Sequence, residues 1–130
     1  MRCFIAIDIP KEIRAELTDL QKDLARRVDI RRGDVKWVEP EGMHLTLKFL
    51  GEVPDRQIVE VCNIVKEVAG RHPAFDFAVR KAGEKLGQAI EQYDDYRLGA
   101  VRASSITVYE SQLTPQGPIY TPLGNFKFAD

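Results

Sequence analysis

The chain has little of several features that would indicate common functional classes. It contains two cysteines among 130 residues, Cys3 and Cys62. They are too few and too far apart for a disulfide framework or a metal cluster, and this usage is typical of a reducing cytoplasm. The formal net charge is −1, which provides no overall basic field to hold a long nucleic acid. Any contact with nucleic acid is therefore expected at an end or at a small phosphate group.

Long apolar runs are also lacking. The opening MRCFIAID contains too short an apolar run for a signal peptide, and no stretch approaches the length of a membrane span. We therefore expect no membrane partner. The composition is that of a soluble globular protein, with 44% hydrophobic and 30% charged residues. At 130 residues the chain is of ordinary single-domain size.

Histidine is scarce as well, since His44 and His72 are the only two. His44 lies in the run Met43–Gly51, whose alternation of apolar and polar residues is typical of a half-buried strand. One face of this strand is predicted to enter a core and the other to present polar groups in a row, with Gly51 ending the strand. The predicted core set is Leu45, Leu47 and Phe49, and the predicted polar set is His44, Thr46 and Lys48.

A histidine and a threonine two residues apart on one strand face can reach one small anion together. The imidazole can donate or accept a proton, and the hydroxyl can donate a hydrogen bond. His44 and Thr46 are therefore the candidate site residues of this sequence. The residues alone also allow a structural role for His44, which is common for a histidine at the start of a strand.

The rest of the chain predicts strands and helices in an order that suits an α+β layer arrangement. Strands are indicated by short apolar or alternating runs, and helices by apolar residues at steps of three or four. The predicted strands are Cys3–Ile7, buried on both faces, Val35–Val38, Phe75–Val79, one long strand over Gly99–Tyr109, and a closing strand over Ile119–Thr121. The predicted helices are Lys11–Val28, a helix over about 55–69 with the apolar face Ile58, Val61, Ile64, Val65 and Val68, and a short helix beginning near Lys81.

Three smaller features have two interpretations or a weak signal. Trp37, the only tryptophan, is predicted to lie in the core, with a base-stacking surface as the alternative. The basic pairs Arg26–Arg27 and Arg31–Arg32 are predicted to complement the dipole at a helix end, with a landing patch for a polyanion as the alternative. The tail from Leu123 is expected to be loosely held.

Three stretches of the sequence resemble a known family: RCFIAIDIP at 2–10, MHLTLKFLGEV at 43–53 and ITVYESQLTPQGPIY at 106–120. With the residues around them they cover nearly the whole chain. The chain resembles the bacterial and archaeal RNA 2′,3′-cyclic phosphodiesterases, first described as 2′-5′ RNA ligases, of the two-histidine phosphoesterase superfamily. The resemblance implies an α+β, LigT-like two-lobed sheet-and-helix fold and a hydrolase that opens 2′,3′-cyclic phosphate ends of RNA to 2′-phosphates without a cofactor or metal.

Members of the family carry two His-x-Thr-x motifs, one in each lobe, and both histidines face a central cleft. This sequence has one such motif, at His44 and Thr46. His72 is followed by Pro73, has no threonine two residues later, and falls at a predicted helix-to-strand turn. It is therefore not expected to replace the second histidine.

The family pattern indicates that a few dozen residues carrying the second motif are absent, with the junction near Arg80–Glu84. Residues 1–80 are expected to form a complete first lobe, and residues 81–130 a truncated remnant of the second with the closing strands. The resemblance assigns His44 as a catalytic acid or base and Thr46 as a phosphate ligand.

The implied partners are RNA ends with a 2′,3′-cyclic phosphate, or small cyclic nucleotides, bound by a cytoplasmic monomer or weak homodimer. Two other functions stay open for a chain with one motif. The first is a non-catalytic RNA-end or nucleotide-binding protein that keeps a phosphate half-site. The second is a deletion product without function, since lost strands expose sheet edges.

Overall fold

The computed structural model describes residues 1–27, 36–80 and 97–129. By contacts the chain divides into two compact units, which are described separately below. The first unit comprises Met1–Asp8, His44–Phe75 and Arg102–Asp130, and the second comprises Ile9–Met43 and Asp76–Val101. The elements in chain order are β1 (Arg2–Asp8), α1 (Lys11–Arg27), β2 (His44–Glu52), α2 (Ile58–Ala69), β3 (Phe75–Arg80), β4 (Arg97–Ala103), β5 (Ser105–Thr114) and β6 (Gly117–Lys127).

The first unit is built on a four-stranded sheet in the order β2-β1-β5-β6. The pairs β1–β2, β1–β5 and β5–β6 are all antiparallel. A central strand covered on both faces must be apolar on both, which is why β1 reads as a continuous apolar run. Cys3, Phe4, Ala6 and Ile7 are all buried, which confirms the strand predicted at the start of the chain.

Helix α2 covers one face of this sheet and provides the core of the unit. Val65 and Ala69 of α2 pack with Ile106 and Val108 of β5. The predicted second helix is confirmed, and the chain turns at Gly70 directly after it. Its buried stripe is narrower than predicted, because Ile64 and Val68 of the predicted apolar face are exposed. Half-buried side chains complete this core: Ile5, Val61, Cys62, Leu123, Phe126 and Phe128.

The long strand predicted over Gly99–Tyr109 is wrong, because the chain breaks at Ser104 into β4 and β5. The two strands belong to different sheets, since β4 pairs with β3 and β5 pairs with β1. At the break, the carbonyl of Ser104 accepts a hydrogen bond from the Phe128 amide at 2.9 Å. That bond continues the register of the β5–β6 pair by one position, although Ser104 itself belongs to neither β4 nor β5.

The prediction of a loosely held tail is also wrong. Strand β6 pairs with β5 over its whole length, from Gly117 opposite Thr114 to Lys127 opposite Ser105. Phe126 packs into the α2 core, and the ring of Phe128 lies 5.8 Å from the ring of Phe75. The closing strand was thus correctly placed but is much longer than the predicted Ile119–Thr121.

The second unit contains α1, β3 and β4. The helix predicted from Lys11 is confirmed, and the carbonyl of Pro10 accepts hydrogen bonds from the amides of Ile13 and Arg14 at its first turn. Strands β3 and β4 form a two-stranded sheet, which confirms the strand predicted from Phe75. At the other end of α1, Arg26 and Arg27 both form ion pairs with Asp23.

The short strand predicted over Val35–Val38 is wrong for its described residues, Lys36–Val38, which form no strand. The Val38 carbonyl accepts a hydrogen bond from Gln21 Nε2 of α1 at 3.2 Å, so a side chain satisfies it in place of a neighbouring strand. Trp37 is 40% exposed, and its predicted place in the core is therefore also wrong. A short 3-10 turn follows at Pro40–Gly42.

Helices and antiparallel sheets together make the α+β class that was predicted. The four-stranded sheet takes β1 and β2 from before residue 80 and β5 and β6 from after it, and the division into lobes at residue 80 stays a prediction. The short helix predicted near Lys81 and the pair Arg31–Arg32 lie outside the described residues. In the described part of the chain, no helix has the length and apolarity needed to cross a membrane.

Candidate active site

The sheet face opposite α2 carries the candidate site. Cross-strand partners point to the same face of a sheet, so the register identifies its members. His44 lies opposite Asp8, Thr46 lies opposite Ala6, and Ala6 lies opposite Thr107 on its other side. We call this surface the site face. Its members are Phe4, Ala6, Asp8, His44, Thr46, Phe49, Thr107, Tyr109, Tyr120 and Asn125.

Strand β2 contains two bulges, which change the predicted alternation. Leu47 is an extra residue between Thr46 and Lys48, and Leu50 is an extra residue between Phe49 and Gly51. An extra residue moves every following side chain to the other face. Phe49 therefore lies opposite Phe4 on the site face, with ring centroids 6.1 Å apart, and its predicted place in the core is wrong.

Two other expectations for β2 fail with the bulges. Leu45 and Leu47, predicted to enter a core, are exposed, because β2 is one edge of the sheet and α2 packs mainly on β5 and β6 at the other side. Gly51 does not end the strand, which continues to Glu52. The φ of Gly51 is +71°, a conformation that favours glycine, so its role is to allow the second bulge.

The imidazole of His44 is enclosed by aromatic rings from the three other strands. The centroid of its ring lies 4.6 Å from that of Tyr109, 5.5 Å from that of Tyr120 and 5.9 Å from that of Phe4. Only 5% of the His44 side chain is exposed. Four strands therefore contribute to one small cluster, and the histidine that sequence analysis singled out is its centre.

Asp8 joins His44 to a hydrogen-bond network that sequence analysis missed. Oδ1 of Asp8 lies 3.7 Å from Nε2 of His44 and accepts a hydrogen bond from the hydroxyl of Tyr109. Oδ2 accepts one from Thr107 Oγ1 at 3.2 Å. Asn125 Nδ2 in turn donates to Thr107 Oγ1 at 2.9 Å. These hydrogen bonds connect β1, β5 and β6 on the site face, and the ion-pair contact between Asp8 and His44 adds β2.

A signal for this network was present in the sequence. Asp8 and Arg2 are the two charged residues in the otherwise apolar opening RCFIAIDIP. Because side chains alternate along a strand, Asp8 is expected on the same face as Phe4 and Ala6. Thr107 and Tyr109 are polar residues two positions apart in β5, so they are expected on one face of that strand. The sequence does not show that these strands are neighbours, and pairing between β1 and β5 spans about a hundred residues of chain.

His72 lies in the turn between α2 and β3, as predicted. Its amide donates to the carbonyl of Ala69, and its own carbonyl accepts from the amide of Ala129. Helix α2 covers the sheet face opposite the site face, so the structure does not bring His72 to His44. Among residues 1–27, 36–80 and 97–129, no three His, Cys, Asp or Glu side chains are grouped so that they could hold a metal ion.

Comparison with known proteins identifies the family. The profile described as LigT like phosphoesterase matches residues 7–85, which is more than half of the chain. This chain belongs to the LigT-like phosphoesterase family. A relative named RNA 2′,3′-cyclic phosphodiesterase from Archaeoglobus fulgidus is 37% identical over 181 residues, covering 98% of this chain and 100% of the relative.

Solved structures, E. coli LigT among them, share the fold of this chain. A crystal structure of a Thermus thermophilus protein superimposes with a TM-score of 0.75 at 23% identity, covering 98% of each chain. The crystal structure of E. coli LigT complexed with 3′-AMP superimposes with a TM-score of 0.71 at 20% identity, covering 99% of this chain and 98% of that one. At these identities the superpositions establish the fold and no more.

The alignment length shows that this LigT-like chain lacks residues that its relative has. The Archaeoglobus alignment spans 181 residues and this chain has 130, so 51 aligned positions or more have no residue here. Because the alignment covers nearly all of both chains, those positions are internal to it. The family match ends at residue 85, next to the junction predicted near Arg80–Glu84.

Proposed function

We propose that this chain is an RNA 2′,3′-cyclic phosphodiesterase whose rate is limited because it has one His-x-Thr-x motif. Its substrates would be RNA ends with a 2′,3′-cyclic phosphate, or small cyclic nucleotides. The observation that carries the proposal is the position of His44 and Thr46 on one sheet face, within a fold shared with LigT-like phosphoesterases. The relative named for this activity covers the chain almost completely.

The reaction needs the groups that the site face offers. The oxygen of a water molecule forms a bond to phosphorus, and the bond from phosphorus to the ribose 3′ oxygen breaks. The water loses a proton and the 3′ oxygen gains one, which leaves a 2′-phosphate and a 3′-hydroxyl. His44 acts as an acid or a base in these transfers, and the Thr46 hydroxyl donates a hydrogen bond to a non-bridging phosphate oxygen, where charge increases.

One histidine cannot easily serve both transfers, because the attacking and leaving oxygens lie on opposite sides of phosphorus. A missing acid or base typically lowers a rate by about 10² to 10⁴. We therefore expect turnover that is slow for the family and depends on His44.

The same half-site favours a second candidate function. A protein that binds phosphate through Thr46 and His44 but has no second imidazole would be a non-catalytic binder of RNA ends or nucleotides. This candidate predicts saturable binding with no turnover. For either function we assign the chain to the cytoplasm, because Cys3 and Cys62 are both free and disulfides are rare there. We expect it to be a monomer or a weak homodimer.

The test is hydrolysis of 2′,3′-cyclic AMP and of a short RNA with a 2′,3′-cyclic phosphate end, followed by phosphorus NMR. We expect the 2′-phosphate product from the natural chain and its loss in His44→Ala. The matched control is His72→Ala, which removes the only other histidine and should leave turnover unchanged. Full turnover in His44→Ala would show that the site is wrong. Binding of 2′,3′-cyclic AMP without product would favour the second candidate.

A further inference from the structure

The side chain of Asp8 has a place in the site that the family motif does not explain. Asp8 is the cross-strand partner of His44, and its Oδ1 lies 3.7 Å from His44 Nε2. This distance is within ion-pair range but is too long for a hydrogen bond. The carboxylate therefore acts on the imidazole through its charge.

Two hydroxyl groups fix the carboxylate beside the imidazole. Tyr109 donates to Oδ1 and Thr107 donates to Oδ2. Both donors are buried members of β5, and Thr107 itself receives a hydrogen bond from Asn125 of β6. The negative charge is thus held at one position by three strands of the sheet.

We propose that Asp8 is a positioning residue that keeps His44 in its protonated form at the phosphate site. An opposite charge within about 4 to 6 Å favours the charged form of a titratable group, whereas burial disfavours it. The His44 side chain is almost fully enclosed, and burial by itself favours the neutral ring. The structure places three titratable groups beside the ring: Asp8 from β1, Tyr109 from β5 and Tyr120 from β6.

This inference rests on the proposed function in one respect, which is the transfer of the His44 proton to the substrate. A protonated His44 can donate a ring proton to the ribose 3′ oxygen as the bond from phosphorus to that oxygen breaks. The attacking water then releases its proton to solvent, since His44 is already charged. His44 would thus be the acid of the reaction, a choice that the sequence left open.

A structural role is the competing explanation, since the network also ties β1 to β5 and β6. The two explanations differ in what they predict for the charge of His44. A structural tie affects thermal stability and leaves the titration of His44 unchanged once the protein is folded. An electrostatic partner moves that titration even where the fold is intact.

The test is a proton NMR titration of the two histidine ring signals, with the His44 signal assigned from the His72→Ala variant. In Asp8→Asn, which keeps the size of the side chain and an oxygen to accept from Tyr109, the His44 midpoint should move to lower pH by about one unit. The shift lies at the low end of the usual range because the Asp8 side chain is 42% exposed, and water screens part of the interaction. The His72 midpoint should not move.

The matched control is Glu110→Gln, which removes a carboxylate from the residue next to Tyr109. Successive residues of a strand point to opposite faces, so Glu110 faces away from His44. This variant should leave the His44 midpoint in place. An unchanged midpoint in folded Asp8→Asn, or an equal shift in Glu110→Gln, would overturn the proposal.

A measurement on the natural chain covers the case in which Asp8→Asn fails to fold. In carbon-13-labelled protein, the Asp8 carboxyl signal should show an inflection at the same pH as the His44 ring signal. A carboxyl signal that stays flat through that pH would also overturn the proposal. Neither titration depends on turnover, so a failed coupling is distinguished from a failed phosphodiesterase.

Discussion

At the residue scale, the position of the His44 ring is fixed mainly by side chains from the other three strands of the sheet. Rings from β1, β5 and β6 enclose the imidazole, with the Tyr109 ring nearest at 4.6 Å. A side chain packed in this way has few rotamers to lose when a phosphate binds, and a group already in place costs no reorganisation during the reaction. Thr46, two residues along the same face, is half-buried and depends on the strand backbone for its position.

The role proposed for Thr46 predicts a loss of phosphate binding when its hydroxyl is removed. Thr46→Val keeps the branched shape and should weaken binding of inorganic phosphate about tenfold or more, because a hydrogen bond to a charged group contributes about 1.5 to 3 kcal/mol. Thr46→Ser keeps the hydroxyl and should bind nearly as well as the natural chain. Isothermal titration calorimetry measures both. Equal affinities in the Val and Ser variants would contradict the role.

The two cysteines predict a pH dependence of thiol chemistry. Burial raises the pKa of both Cys3 and Cys62 above the ordinary thiol value of 9.0. Only the thiolate is nucleophilic, so a raised pKa means less thiolate at neutral pH. In the folded protein at pH 7.5, both should react with iodoacetamide more slowly than in urea, and the folded rate should keep rising above pH 9. Mass spectrometry follows each site, and equal rates in the folded and unfolded chain would contradict this.

At the element scale, α2 stabilises the sheet through a narrow stripe of side chains. Val65 is 7% exposed and its neighbour Ile64 is 53% exposed. Val65→Ala removes two buried methyl groups and should lower the free energy of unfolding by about 1 to 3 kcal/mol. Ile64→Ala removes more atoms but from the exposed side, and should change it by less than about 1 kcal/mol. Urea unfolding checks both, and a larger loss from Ile64→Ala would contradict the packing.

The bulges of β2 make a second prediction at this scale. Gly51 has a φ of +71°, with open space where a Cβ would stand, so Gly51→Ala should destabilise by about 1 to 2 kcal/mol through backbone strain alone. Gly70 has a φ of −66° and only ordinary contacts at its Cβ position. Gly70→Ala is therefore the control and should be neutral or slightly stabilising. Thermal unfolding measures both variants. If Gly51→Ala and Gly70→Ala lost the same stability, the strained backbone assigned to Gly51 would be wrong.

These bulges also show how far the sequence could predict the fold. The strands at β1, β2 and β3 and both helices follow from local periodicity, which depends only on neighbouring residues. The face on which Phe49 lies depends on the extra residue Leu47 opposite β1, and the break at Ser104 separates strands that pair with different partners, β4 with β3 and β5 with β1. Both are long-range pairings that local alternation does not encode.

The candidate site divides in the same way. His44 and Thr46 were identified because they lie two residues apart on one strand. Asp8 and Tyr109 were not identified, because they are about a hundred residues apart and meet only through β1–β5 pairing. Position along one strand can be predicted from sequence, whereas a network across four strands requires the sheet order.

At the scale of the whole molecule, the chain contains one candidate phosphate half-site, the pair His44 and Thr46 on one sheet face. A net charge of −1 gives little long-range attraction for RNA, so affinity must come from contacts at the cyclic phosphate end. In our proposal His44 with Asp8 provides one proton donor, and we expect the second imidazole of the family pattern to lie among the aligned positions that this chain lacks. The rate should therefore depend on what replaces that segment.

A shared site between two copies is one way to supply the second imidazole. A twofold dimer is the commonest closed assembly, but it would have to place the two His44 rings on opposite sides of one phosphorus atom. Nothing in the sequence ensures that geometry, so we expect specific activity to stay constant as protein concentration rises. Turnover assays combined with analytical ultracentrifugation check this. Specific activity that increases together with the dimer fraction would show a shared site.

Restoring the missing segment is the direct test of why the rate is limited. A chimera that carries, between residues 80 and 84, the 51 or more aligned positions of the Archaeoglobus relative should regain the second motif that the family pattern assigns there. We expect turnover of 2′,3′-cyclic AMP to rise by about 10² to 10⁴, the contribution of one acid or base. The control chimera replaces the histidine of the inserted motif with alanine and should stay as slow as the natural chain. If both chimeras were equally fast, the insert would be acting through the fold and the second histidine would not be the missing group.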